Sequence, residues 1–177
     1  NVEGAGAVSI RSLVKNALRM RPTRIIVGEV RGAEALDMLS AMNSGHEGSM
    51  CTIHANGARQ ALSKLGLYAM MAEESLPAKA VTEMIAEAIN LVVHLRLDAS
   101  SGRRLVSSIY EVTGLEEDAI AGSELYARVE GDLQWTGIRP RNAERMDLPD
   151  FLNTAAAFQA LMHQTDDHHE ALAAFME

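Results

Sequence analysis

Two short apolar runs, Arg24-Ile-Ile-Val-Gly28 and Ser49-Met-Cys-Thr-Ile-His54, each lie between segments with helical hydrophobic spacing, and this alternation constrains the chain more than any other feature. Upstream, Ile10, Leu13, Val14, Ala17 and Leu18 follow the i, i+3, i+4, i+7, i+8 rule, which predicts a helix over Ser9 to Met20 with Ser9 as N-cap and a stop near Pro22. Arg24 to Gly28 is too short for a helix and apolar on consecutive residues, as expected of a strand covered on both faces. A helix over Ala33 to Met42 follows, with Leu36, Leu39 and Met42 on one face and Gly45 near its end. The second run reads as a second strand, and Ala58 to Met71 as the next helix. Helix, strand, helix, strand, helix with short connections predicts a parallel α/β sheet.

Beyond it the pattern changes. Pro77 to Ile89 predicts one more helix, running into the alternating strand Leu91 to Leu97; Arg104 to Val112 is again strand-like, and Ser100, Ser101 and Gly102 join the two as a hairpin. Two further short strands are expected between Asp118 and Trp135, broken around Glu130, Gly131 and Asp132. After Pro140 the composition turns acidic and Ala-rich, so the division expected is 1–140 and an acidic helical tail over 141–177.

Charge is unevenly spread. From Arg11 to Arg31 six basic residues face one acidic residue, Glu29, whereas from Glu144 onward seven acidic residues face Arg145 alone. The basic stretch is a candidate anion site, but neither a basic domain nor basic residues interleaved with aromatics are present, so nucleic-acid binding is not expected. The one cysteine, Cys51, cannot form an internal bridge, which fits a reducing compartment. No apolar run reaches the ~18 residues that span a bilayer, and the expected location is cytoplasmic. The chain starts at Asn1 rather than Met, from which a preceding segment is expected.

The chemistry centres on the two runs. Glu29 stands just beyond the carboxyl end of the first, where ligands sit in open α/β sheets. A carboxylate there suits the Walker B role of holding a magnesium ion through water or orienting an attacking water; it also suits a first-turn glutamate favouring the next helix's dipole. His46 precedes the second run and His54 ends it, so His54 emerges beside Glu29 if the strands are parallel neighbours. An imidazole there can donate to a phosphate oxygen or shuttle a proton, or simply make a strand-end hydrogen bond; two histidines eight residues apart match no zinc spacing. Arg19 and Arg21 close the first helix, where cations favour the dipole or neutralise phosphate, and Arg31 can do the latter or pair with Glu29. No Gly-x-x-x-x-Gly-Lys-Ser/Thr loop occurs, so the main cradle for β- and γ-phosphates is not in these 177 residues. No nucleophile elbow marks a small α/β hydrolase.

Three blocks carry a resemblance: Ser12-Leu-Val-Lys-Asn-Ala-Leu-Arg-Met-Arg-Pro-Thr-Arg-Ile-Ile-Val-Gly-Glu-Val-Arg-Gly32, Ala35-Leu-Asp-Met-Leu, and Gly45-His-Glu-Gly-Ser-Met-Cys-Thr-Ile-His-Ala-Asn56. Together they resemble the type II/IV secretion ATPases, in particular the CpaF-like branch of Flp or tight-adherence pili, over about Asn1 to Pro140. The resemblance implies a partial RecA-like P-loop NTPase core, mainly a parallel sheet with flanking helices, followed by the β-hairpin region and the helical tail. It further implies a homohexamer that uses ATP and Mg2+ to power pilus assembly or secretion while docked on an inner-membrane platform protein. Glu29 would be the Walker B glutamate, coupled to the metal through water, with His46 and His54 the His-box pair and Arg19, Arg21 and Arg31 the nucleotide-side arginines. The phosphate loop and most of the acidic box are absent, although Asn1-Val-Glu-Gly-Ala-Gly resembles that box's end, so the segment alone is expected to be inactive. A non-catalytic RecA-like assembly or regulatory module is the alternative. Gln164 to Glu177 is faintly similar to the C-terminal helices of the enoyl-CoA hydratase family, and His163, His168 and His169 read as a solvated helix face.

Overall fold

The computed structural model describes residues 8–99 and 101–141. The segment Asn1 to Ala7 and the expected helical tail, Arg141 excepted, lie outside the described residues. The chain divides into two compact units, Asn1–His94 with Tyr110–Ser123, and Leu95–Ile109 with Glu124–Glu177.

Helix α1, Ile10–Arg19, starts where the periodicity places it, and the Ser9 side chain accepts the N–H of Ser12 at 3.1 Å. Its end also follows from local chemistry. Met20 caps the helix, and Arg21, one residue further and just before Pro22, takes the left-handed φ of 51° common where helices terminate. Strand β1, Ile26–Val27, and strand β2, Met50–Cys51, pair in parallel with Ile26 opposite Met50 and Val27 opposite Cys51. The expectation of a strand covered on both faces is corrected here. Ile25 and Val27 are buried whereas Ile26 is 56% exposed, so the described residues cover only one face of the pair.

Helices α2 (Glu34–Met42), α3 (Ala58–Met70) and α4 (Ala78–Ala88) supply the rest of this unit's core, in which Met38, Leu39, Val81 and Ile85 are almost fully buried. Gly66 of α3 faces Ile85 of α4, where a Cβ would come into contact with its Cδ1 at 3.4 Å. Asp37 on α2 holds α1 through Arg11 at 2.5 Å and Lys15 at 3.4 Å, and Arg11 also pairs with Glu74 beyond α3. Two basic residues of the anion-site candidate are thus consumed in holding helices together.

Strands β3 (Leu91–Leu97), β4 (Arg104–Glu116), β5 (Ala119–Val129) and β6 (Asp132–Trp135) form a second sheet in sequential order. The Asp98 carbonyl accepts the N–H of Gly102 at 2.8 Å and closes the first expected hairpin. Glu130 and Gly131, with φ of 50° and 97°, form the tight turn before β6, which runs antiparallel to β5. The parallel pairing expected of the first region and the hairpins expected after it thus lie in two separate sheets. Among the described residues the parallel part is one pair of two-residue strands, and most strand residues lie in the four-stranded sheet. Sequence alternation had reported the order of elements but not how few residues of each run enter a ladder.

Candidate functional site

Parallel strands leave at the same edge, and main-chain bonds tie the two chains together beyond it. Thr52 N–H donates to the Val27 carbonyl at 3.3 Å, Val30 N–H to the Thr52 carbonyl at 2.9 Å, and the Thr52 hydroxyl to the Gly28 carbonyl at 2.5 Å. Glu29 and His54 consequently project from neighbouring segments, and His54 Nε2 lies 3.1 Å from Glu29 Oε1. The other carboxylate oxygen, Oε2, meets Arg31 Nη2 at 2.5 Å. Burial separates the partners: the Glu29 side chain is 26% exposed, while those of Arg31 and His54 are 73% and 80% exposed. Oε1 itself is buried and accepts no hydrogen bond of good geometry.

The hydrogen bond and charge of Arg31 hold the Glu29 carboxyl below the usual carboxylate range; partial desolvation opposes this, and His54 and Lys64 add to it. Glu29 in turn raises the Arg31 guanidinium. Lys64, from α3, donates to the His54 carbonyl at 2.8 Å, and its ammonium lies 5.7 Å from the Tyr68 ring centroid. One turn earlier Gln60 accepts the Asn56 N–H at 2.6 Å. Sequence reasoning missed both, since a polar residue mid-helix gives no sign of which loop it reaches.

The alternative role considered for Glu29, a first-turn glutamate, belongs to another residue. Helix α2 begins at Glu34, whose carboxylate accepts the N–H groups of Arg31 at 2.7 Å and Gly32 at 3.1 Å. Nor is His46 brought to this edge. It lies before β2, at the end where the strands begin; its Nδ1 is 3.1 Å from the Ala41 carbonyl at the close of α2, and its own carbonyl accepts the Ser49 hydroxyl at 2.7 Å. Ser49 Oγ accepts the Ile25 N–H at 2.9 Å, which anchors that turn to β1. The strand between the two histidines sends them to opposite ends.

Arg19, Arg21 and Arg24 are exposed and have no carboxylate partner among the described residues, and none contacts Glu29 or His54. Arg24 lies over Gly48, where a Cβ would come within 2.8 Å of its Nε. No three His, Cys, Asp or Glu side chains converge among the described residues. A divalent cation at Glu29 would therefore take one carboxylate and complete its shell with water and phosphate oxygens, the usual habit of magnesium. The positive or protonatable groups around this carboxylate, Arg31, His54 and Lys64, suit an anionic ligand such as a phosphate.

The model of the family described as type II/IV secretion system protein matches residues 1–173. The chain belongs to that family. The match runs past residue 140 and takes in most of the segment set apart by composition. Among relatives, the conjugal transfer protein TrbB of Rhizobium radiobacter is 38% identical over 125 residues, 71% of this chain and 36% of TrbB. The type IV secretion system protein PtlH of Bordetella pertussis is 41% identical over 112 residues, 62% of this chain and 33% of PtlH. The chain spans about a third of the length of these relatives. Among solved structures, the VirB11 ATPase of the Brucella suis type IV secretion system, crystallised with sulphate, is similar with a TM-score of 0.55 and 30% identity over 59% of this chain and 32% of that one. The α/β fold is thus similar to that of a secretion ATPase, and nucleotide binding is what membership of this family implies. No helix among the described residues is long and apolar enough to cross a membrane.

Proposed function

We propose that this chain is part of the catalytic half of a hexameric ATPase motor of the CpaF-like, tight-adherence branch, which couples ATP hydrolysis to pilus assembly or protein secretion from the cytoplasmic face of the membrane. The observation that carries the reading is the convergence of Glu29 and His54 at one edge of the parallel strand pair. Their roles follow from their surroundings. Glu29, kept ionised by Arg31, holds the water shell of Mg2+ or orients the attacking water through its carboxylate. Bound Mg2+ would supply charge neutralisation at the β- and γ-phosphates. His54, largely exposed and 3.1 Å from Oε1, is placed to donate to a terminal phosphate oxygen or to move a proton between solvent and the carboxylate.

Arg31 exchanges its partner, from the carboxylate to phosphate charge, when nucleotide binds. Arg19 and Arg21, exposed and without carboxylate partners, face the nucleotide of an adjacent subunit in this reading. His46 serves by holding the turn between α2 and β2 rather than by touching nucleotide. The grip on the β- and γ-phosphates has to come from polypeptide other than these 177 residues, because no phosphate-binding loop is among them. That same absence favours a second reading, a non-catalytic RecA-like module, for any context in which the loop is lacking. The partners of the motor would be identical subunits and an inner-membrane platform protein.

The test uses a polypeptide carrying both these residues and a phosphate-binding loop. Glu29→Gln should retain nucleotide binding while turnover falls by about 100-fold or more, the range of a lost general base or metal-water ligand. His54→Ala should lower the rate more than the affinity. Unchanged turnover in Glu29→Gln would remove that residue from the mechanism, and no hydrolysis by the unsubstituted protein would leave the non-catalytic reading.

A further inference from the structure

His54 poses a physical problem that its own sequence neighbourhood does not solve. The strand ladder ends at Thr52, α3 begins only at Ala58, and the His54 side chain is 80% exposed, so local packing does little to fix the imidazole. What fixes it is the main chain, and α3 holds that main chain at two points. Gln60 and Lys64, one helical turn apart and hence on one face, take groups two residues apart in the loop: Gln60 the N–H of Asn56 at 2.6 Å and Lys64 the carbonyl of His54 at 2.8 Å. The Lys64 stem is half-buried, and its ammonium lies 5.7 Å from the Tyr68 ring centroid. Among the described residues its ammonium makes no ion pair, so a full positive charge is spent on the neutral carbonyl of His54.

We propose that Lys64 is the positioning residue of this site: by clamping the His54 carbonyl to α3 it aims the imidazole at Glu29. The proposal rests on the reading of Glu29 and His54 as one site. A donor that merely satisfied a stray carbonyl would stabilise the loop without linking the two side chains. A clamp makes the approach of imidazole to carboxylate depend on residue 64.

Two measurements decide between these. In the active polypeptide, Lys64→Met should lower kcat about tenfold with KM changed less than about twofold, Lys64→Arg should recover to within about threefold, and in a His54→Ala background Lys64→Met should cost less than about twofold more. Equal losses in both backgrounds, or a loss confined to KM, would overturn the proposal. The second measurement does not depend on turnover. In the chain itself, with histidines labelled at Cε1, Glu29→Gln should move the His54 resonance when residue 64 is Lys or Arg and leave it in place when residue 64 is Met or Gln. An identical displacement in all four backgrounds would overturn the proposal. If the unsubstituted protein hydrolyses no ATP, the motor reading fails, and the resonance measurement still decides the role of Lys64.

Discussion

Cys51 sits opposite Val27 in the parallel pair and packs against the hydrophobic core, and burial pushes its thiol from 9.0 up to about 11. Because it is the one cysteine in the chain, its chemistry can be read without interference. At pH 8 roughly one thiol in ten is ionised in the unfolded chain, where the ordinary value applies, and roughly one in a thousand in the folded chain. Thiolate is the reactive form, so a disulfide reagent such as Ellman's should react about 100-fold more slowly with native protein at pH 8 than with protein in concentrated urea. The native rate should still climb about tenfold per pH unit between 8 and 10, while the unfolded rate levels off above about 9. Linkage gives a companion effect. Below 9 both states hold the proton and stability is indifferent to this group; from 9 to about 11 the unfolded state loses the proton first, so stability falls with rising pH by up to about 1.4 kcal/mol per unit. Cys51→Ala should remove that part of the slope in urea denaturation at pH 8, 9 and 10. A native reaction rate within about threefold of the unfolded rate would refute the claim that partial burial in β2 shields the thiol.

Two other predictions concern packing and charge. An alanine Cβ at Gly122 would lie 2.2 Å from the Glu111 carbonyl oxygen and 2.5 Å from the Tyr110 ring, both buried, so Gly122→Ala should destabilise by about 1–3 kcal/mol by urea denaturation; Gly28, where nothing lies within 4 Å, should accept alanine with a change of less than about 1 kcal/mol. Arg31→Gln should raise the Glu29 titration midpoint followed by carboxyl carbon NMR, because the guanidinium is the main cause of its depression. The sign carries to stability: with the folded value lowered, the ion pair's contribution is full above the ordinary carboxylate range and is lost as pH falls through the folded value, so Arg31→Gln should flatten the acid limb of the stability curve.

Much of this is legible in the sequence. The spacing of Ile10, Val14 and Leu18, the Ser9 cap and the Pro22 stop are local, and α1 forms as they require. The alternation of helices with two β-branched runs predicted parallel neighbours, and with them the meeting of Glu29 and His54. Where the reading went astray, a distant partner was responsible. Ile26 looks buried in a string of apolar residues, yet a strand has two faces and the described residues cover one. His46 was placed before the second strand by the sequence, but that its ring would turn back to the Ala41 carbonyl at the close of α2 was not legible there. The same holds for Arg11: nothing near it in sequence says that Asp37 and Glu74 will claim it from the basic stretch.

Short-range physics, in the form of hydrophobic period, capping and proline geometry, was enough to order the elements and to put a carboxylate and an imidazole after successive strands. Which charges those two groups meet was settled only by the fold. Arg31 lies two residues from Glu29 but could have turned to solvent, and Lys64 reaches the His54 carbonyl across the ten residues that separate them in sequence. Ion pairs and hydrogen bonds depend on angstrom-scale separations that a one-dimensional pattern does not contain, whereas helix and strand formation depend on neighbours that it does.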